Sequence, residues 1–390
     1  MEKLMHCPPT ECDVLIVGAG PVGMLLAILL HQNGHKVAVV DQRTSIYNHS
    51  RAIGIHPPGL DALETAGIAH AFVESGRFIT GGWAYVNGTS KGQLRFDSNP
   101  GKWKRPLVVP QQVTEQILQD EATKMSLPIF WGWKFCALDQ KSKYVSVSVL
   151  GPAEQEVNIS CSLVVGCDGK RSTVRQSLGS FMMGGQYRDR YLMADFDDDG
   201  ILGDQAIINM HRDGLVECFP LPNGKRRWVA RLSDRESKEP DVELLVRIIK
   251  SRIEEPPELV NPIMFSSFGI ERWRANRIVS GRVALAGDAA HVVSPIGGQG
   301  MNLGWMDAVD LANCVRACTS LEHAGQLNMQ LSSYEQNVQR RAKRGIRRAW
   351  FNTMMGRPGI PAWVKAAAVR LIVNTGMQRV FARRFTMLDL

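Results

Sequence analysis

The sequence predicts an α/β fold: a parallel sheet built from βαβ units, interrupted by a second, largely β domain and finished by C-terminal helices. Three observations predict it. The glycine triplet Gly18-Ala-Gly20-Pro-Val-Gly23 stands between a short apolar strand and an apolar helix. A second apolar strand, Val283-Ala-Leu-Ala286, runs into Gly287-Asp288 far along the chain. The length, 390 residues, exceeds one ordinary core and suits two interlocked domains.

The elements follow in order. Asp13-Val-Leu-Ile-Val reads as a buried strand, and the helix from Met24 to Leu30 stops near Asn33-Gly34. Val37-Ala-Val-Val-Asp41 closes the first βαβ unit. One helix is expected over Pro58 to Phe72, then strands and turns over Arg77 to Arg105. A further helix is expected over Val113 to Met125. Val145 to Val149 alternates and turns at Gly151-Pro152, a hairpin signal, and Leu163-Val-Val165 ends at Cys167-Asp168-Gly169. Residues 179–270 mix short strands, such as Trp228 to Leu232, with one amphipathic helix from Val242 to Ile253. The resulting division is 1–76, 104–178 and 275–330 for the first domain, 77–103 and 179–274 for the second, and 331–390 for basic C-terminal helices.

Composition narrows the class. Hydrophobic residues make up 44% and charged residues 22%, so wholesale disorder is excluded. No run reaches about 18 apolar residues, so no transmembrane helix is expected. Residues 1–12 lack an apolar signal core, which makes a cytoplasmic location the expectation. The eight cysteines form no CxxC pair, so neither a zinc knuckle nor a dithiol motif is read, and no metal is assigned. The net charge of +8 is held unevenly: from Leu331 to Leu390 there are twelve Lys/Arg against Glu335 and Asp389, leaving about −2 for the rest. Peripheral contact of those helices with an anionic membrane is one reading and a solvated helical face is the other. Nucleic acid is not expected, because no recognised binding fold accompanies the charge.

The glycines carry chemistry. Gly18 permits a tight turn, Gly20 lets a pyrophosphate approach the backbone, and Gly23 lets helix pack on strand. The helix N-terminus offers unpaired N–H groups to the phosphates. Asp41, at the end of the second strand, is placed to accept bonds from ribose hydroxyls. This much indicates an adenine dinucleotide without separating NAD from FAD. Asp288 at a strand end can hold a polyol hydroxyl, and the loop Ser294-Pro-Ile-Gly-Gly-Gln-Gly-Met-Asn302 can face a polarised ring. Together they suit ribitol and an isoalloxazine.

GAGPVG at 18–23, CDGKRSTVR at 167–175 and GDAAHVVSPIGGQGMNLG at 287–304 together resemble the class A flavoprotein aromatic hydroxylases of the para-hydroxybenzoate hydroxylase type. VPQQVTEQIL at 109–118 and RAIGIHP at 51–57 lean toward members that hydroxylate polyketides and similar polycyclic phenols. The resemblance implies an FAD-binding, Rossmann-like domain of the GR2 type, interrupted by a β-sheet substrate domain. It implies that Gly18, Gly20 and Gly23 bind the dinucleotide, that Asp41 holds the adenosine ribose and that Arg43 lies over the adenosine. Arg51 and Gln111 would contact the flavin side, and Asp168 would sit near the pyrophosphate. Gly287 and Asp288 would hold ribitol, and Pro295, Gly297, Gly298, Gly300, Met301 and Asn302 would line the isoalloxazine. No catalytic side chain is assigned; the flavin itself is the expected catalyst, lined by Pro295, Gly297 and Gly298. NADPH or NADH would reduce the flavin, O2 would add to give a C4a-hydroperoxide, and its oxygen would pass to an aromatic or polycyclic small molecule. Epoxidation or Baeyer–Villiger insertion is the alternative within that chemistry, and a flavin-dependent reductase of isoprenoid lipids the alternative outside it. With the last residue at Leu390, the thioredoxin-like extension of the larger phenol hydroxylases is not expected, and Trp305-Met306 replace the Gln that many relatives carry before Asp307.

Other residues draw plainer expectations. His291 is read as structural in its loop, and Asp195, Asp197, Asp198 and Asp199 as a solvated acidic turn rather than a metal cluster. Trp131-Gly-Trp133 continues with Lys134-Phe135, so the WxWxIP signature of flavin halogenases fails. Phe181, Tyr191, Phe219 and Trp228 are candidates for an apolar wall facing a planar ligand.

Overall fold

The computed structural model describes residues 7–46, 52–233 and 240–390. Its first sheet holds five parallel strands in the order Val283–Leu285, Glu156–Gly166, Glu11–Val17, Val37–Asp41 and Ile129–Trp131. The β-branched run Val37–Asp41 is buried throughout, as a central strand covered on both faces must be. The hairpin around Gly151 is present: Val145–Leu150 pairs antiparallel with Glu156–Gly166. Helix Pro21–Gln32 begins with Pro at its first turn and ends at Asn33, with Gly34 at φ +86° turning the chain. The expected single helix after Pro58 is two, Pro57–Thr65 and Ala69–Ser75, because Gly67 takes φ +75° and ends the first.

The second sheet has eight strands, in the order His291–Val292, Met264–Ala275, Met182–Asp197, Lys225–Leu232, Gly214–Leu221, Gln205–His211, Gly81–Val86 and Thr89–Arg95. It therefore collects strands from three stretches of chain, plus two residues beside the glycine loop. Strand alternation divides its side chains between two faces. Val216, Cys218 and Trp228 point to one face and pack with Leu245, Ile248 and Ile249 of helix Val242–Arg252. Glu217, Phe219 and Val229 point to the other, toward the first domain's glycine loop.

The four C-terminal helices, Gly300–Arg316, Ala324–Gly356, Ala362–Asn374 and Met377–Phe385, do not trail away from the fold. The long one places Tyr334, fully buried, with its hydroxyl donating to the Leu285 carbonyl at 2.8 Å. The last returns to the second sheet's edge, where Phe385 stacks on Phe96 at 5.6 Å between ring centroids.

Candidate active site

The first glycine turn is built by close approach. Gly18 lies at φ +110°, and a Cβ on it would stand 2.4 Å from the Cys167 carbonyl oxygen. A Cβ on Gly23 would meet the Gly18 oxygen at 2.0 Å, so this residue sets the contact of helix on turn. Gly20 differs: nothing lies within 4 Å of the Cβ it lacks, and it borders a cavity. The helix it precedes has no side-chain cap, which leaves its first N–H groups available to a ligand.

Asp41 is engaged more fully than a bare ribose acceptor. Its Oδ2 accepts the Ala19 N–H at 2.7 Å and its Oδ1 the Arg43 N–H at 2.8 Å. The Arg43 guanidinium forks onto both oxygens, with Nε at 3.1 Å from each and Nη2 at 2.9 Å from Oδ2. Arg43 also reaches Glu115 at 3.3 Å and lies over the Trp131 ring. Glu115 in turn accepts from Gln111 Nε2 at 2.9 Å. The structure thus joins Asp41, Arg43 and Gln111 through Glu115, a residue the motifs did not single out. Arg51 lies outside the described residues.

Asp168 turns one oxygen onto the start of helix Thr173–Ser177, accepting from Thr173 N–H at 2.7 Å and Val174 N–H at 3.1 Å. Its other oxygen, Oδ1, is buried with no partner among the described residues. Its neighbours Cys167 and Gly169 border the cavity; Asp168 does not. At the third motif, Gly287 (φ +61°) donates its N–H to Asp307 at 3.1 Å, which leaves Asp288 facing the cavity. Asp288 is exposed to that cavity, with His291 and Lys170 as its charged neighbours. His291 is bonded to buried Asp307 at 2.6 Å, and Arg341 closes the cluster from helix Ala324–Gly356.

Pro295 through Met301 line the cavity, with Gly297 at φ +91° and Gly298 at φ +63°. The Gly298 amide is already spent on the Pro295 carbonyl at 2.9 Å, closing the turn. Helix Gly300–Arg316 then opens without a side-chain cap, so Gly300, Met301 and Asn302 form its first turn. Asn302 is fully buried and does not line the cavity. Its amide accepts the His56 N–H at 2.8 Å and donates to the Gly54 and Gly298 carbonyls at 3.0 and 2.8 Å. It clamps the loop from behind rather than touching what the loop holds. From the opposite side, His56 Nε2 meets the Gly297 carbonyl at 2.8 Å.

The cavity measures about 500 Å³ and has two unlike walls. One is formed by Gly20, Gln111, Asp288 and the 295–301 loop. The other is the second sheet's inner face, with Met193, Glu217, Phe219, Arg227, Val229 and Phe268, and with Phe385 from the last helix. Of the four aromatic residues expected in that wall, Phe219 lines it and Tyr191 lies behind Phe268, its ring stacked at 5.8 Å. Trp228 faces the other side of the sheet, since it alternates with Arg227 and Val229, and Phe181 is largely exposed. The acidic stretch is solvated only in part: Asp199 is exposed, whereas the Asp195 and Asp198 side chains are buried in ion pairs. Asp195 is buried and bonded to Arg227 at 2.6 Å, and Asp198 accepts from Arg226 and Arg77 at 3.1 Å each.

A family model described as an FAD binding domain matches residues 11–349. 6-Methylpretetramide 4-monooxygenase of Streptomyces rimosus is 32% identical over 315 residues, covering 78% of this chain and 56% of that protein's length. Among solved structures, aklavinone-11 hydroxylase, in a ternary complex with FAD and aklavinone, superposes with a TM-score of 0.73 at 25% identity, covering 91% of this chain and 71% of that one. The fold is also that of p-nitrophenol 4-monooxygenase from Pseudomonas putida DLL-E4, with a TM-score of 0.86 at 22% identity over 97% and 99% of the two chains. Glycine turns, strand-end acids and a family match over most of the sequence agree: the chain belongs to the FAD binding domain family, and FAD is its cofactor.

Proposed function

We propose that this chain is an FAD-dependent monooxygenase that uses NADPH or NADH and O2 to hydroxylate an aromatic or polycyclic small molecule. The observation that carries it is a cavity shared by the glycine loop and the second sheet's aromatic wall. The relatives' names supply the substrate class. The residues fit FAD on their own chemistry. Gly20 leaves open space beside an uncapped helix start, and Asp288 faces the cavity with a carboxyl that can accept hydroxyl donors. Gly18, Gly20 and Gly23 would cradle the pyrophosphate, with Asp41 and Arg43 at the adenosine end and Gln111 near the flavin. Asp288 would bind the ribitol. Arg51, from the motif alone, would join Gln111.

Bound FAD, once reduced, supplies the activation of dioxygen that oxygen insertion requires. The chain's own part is to orient and to keep dry. Phe219, Phe268, Met193 and Val229 would press a planar substrate toward Pro295, Gly297 and Gly298, and Phe385 would exclude water from the far side. The division into residues 1–76, 104–178 and 275–330 against 77–103 and 179–274 belongs to this reading, with 331–390 as the closing helices.

The deciding experiment is NAD(P)H oxidation and oxygen uptake against a panel of phenols, quinolones and polyketides. Substrate-stimulated uptake with hydroxylated product is expected. Protein that is colourless and takes up no riboflavin-derived ligand overturns the proposal. Reduction of an isoprenoid lipid without oxygen consumption would favour the reductase alternative.

A further inference from the structure

Among the described residues, the arginines on the inner face of the second sheet, Arg227 and Arg231, each meet an acid, whereas Glu217 beside them meets no cation. Arg227 forks onto Asp195 at 2.6 and 2.9 Å. Arg231 and Arg357 meet on Asp189, at 2.7 and 2.9 Å. Glu217 is only 6% exposed, lines the cavity, and no hydrogen bond or ion pair joins its carboxyl to another described residue. Strand register gives it Val229 on one side and Ile208 on the other. Leaving a carboxylate unpaired in such surroundings costs several kcal/mol by ordinary desolvation. A chain that compensates its other charges here leaves this one turned to the space a ligand would fill.

We propose that Glu217 is the substrate-facing acid–base residue of the cavity: it receives the hydroxyl of a neutral phenolic substrate and takes up its proton. The assignment rests on the monooxygenase reading above. The step balances as a proton transfer. The substrate O–H bond breaks, an O–H bond forms on the Glu217 carboxyl, and the electron pair stays on the phenolic oxygen, where it raises the ring's nucleophilicity toward an electrophilic oxygen donor. No redox change is involved. The same carboxylate would repel arene carboxylates, whose natural counterion on this wall, Arg227, is already bound to Asp195. Chemistry thus selects an uncharged hydroxyarene.

The groups facing Glu217 are Tyr191 and Asp195 on the strand Met182–Asp197, and Arg227 and Arg231 on Lys225–Leu232. Beyond them come Asp189 with Arg357, and His56 across the cavity. Burial pushes the Glu217 carboxyl up to about 7. The acid and its conjugate base are therefore both accessible near neutral pH, as a general base requires.

The test uses the FAD-loaded full chain with naphthol, naphthoate and naphthylammonium as probes, together with Glu217→Gln and Glu217→Asp. Infrared titration of the free enzyme should show a protonated-carboxyl stretch that disappears with a midpoint near pH 7 and is missing in Glu217→Gln. Naphthol should bind and naphthoate should not. For naphthol hydroxylation, kcat/KM should rise with pH through the same midpoint. Glu217→Gln should lose that limb and about 100-fold in rate while keeping its FAD. Glu217→Asp should keep the limb at reduced rate. Absence of the infrared band, preference for naphthoate or naphthylammonium, or wild-type kinetics in Glu217→Gln overturns the assignment and leaves the monooxygenase reading standing. Holoenzyme that never couples NAD(P)H oxidation to a hydroxylated product overturns both.

Discussion

Asp41 and Asp288 are both acids at the ends of parallel strands, but their surroundings set them different tasks. Asp41 is saturated by Arg43 and the Ala19 amide, so it organises the turn as well as any ribose. Asp288 faces open space and should hold ligand more directly. Asp288→Ala is expected to abolish FAD retention, read as loss of the yellow chromophore on purification; full occupancy in that variant would refute the placement of ribitol. The glycines separate in the same way. Gly23→Ala forces a Cβ to 2.0 Å from the Gly18 oxygen and should cost several kcal/mol in denaturant titration. Gly20→Ala meets no protein atom, so stability should change by less than about 1 kcal/mol while FAD affinity falls. His56 carries a pH signature. Burial pulls it from 6.5 to about 4, so the folded imidazole is neutral where the unfolded one is protonated. Its share of stability, up to about 3 kcal/mol, is complete above pH 6.5 and is lost as pH falls through 4. Glu217 acts oppositely, its raised pKa eroding stability as pH climbs from 4.5 to about 7. Comparing His56→Gln with the parent across pH 4–7 should isolate the first slope; parallel curves would contradict it.

At the scale of elements, the strands of the second sheet set the cavity wall by alternation. Gly214–Leu221 sends Val216 and Cys218 to the helix side and Glu217 and Phe219 to the cavity. The acid inside an apolar run was visible in the sequence; which face it took was not, because that depends on which side the helix Val242–Arg252 covers. Asp195 and Arg227 sit opposite each other on paired strands, and their buried fork staples the wall. Asp195→Ala should cost about 3 kcal/mol in thermal or chemical unfolding, and the paired change Asp195→Leu with Arg227→Met should recover most of it. An undiminished Tm in Asp195→Ala would show that the pair contributes nothing. The acidic stretch looked solvated from composition alone, since its partners Arg226, Arg227 and Arg77 come from strands remote in sequence.

For the molecule as a whole, the basic C-terminal segment divides into two populations. Arg341, Arg348 and Arg357 turn inward onto Asp307, Asp389 and Asp189, and Lys365 is buried against the Arg357 carbonyl at 2.8 Å. Arg370, Arg379 and Arg383 stay outside with Trp363, Leu371 and Val380, which are 75%, 55% and 62% exposed. This face thus sets cations beside exposed apolar side chains, and an anionic bilayer or plain solvent are the two surroundings to be told apart. Co-sedimentation with anionic vesicles at low salt, lost at high salt, is expected if that face contacts membranes; no sedimentation would leave it as ordinary surface.

The parallel sheet and the glycine turns were legible in the sequence because they rest on local rules. A buried βαβ unit needs continuous apolar strands, and a turn packed against another backbone tolerates no Cβ. Tertiary structure alone decided the cavity's far wall, the bond from Arg43 to Glu115, the clamp made by Asn302 and the cations turned inward onto Asp307, Asp389 and Asp189. Each of these joins residues tens to hundreds of positions apart, and sequence spacing holds no record of which distant charges end up sharing a low-dielectric interior.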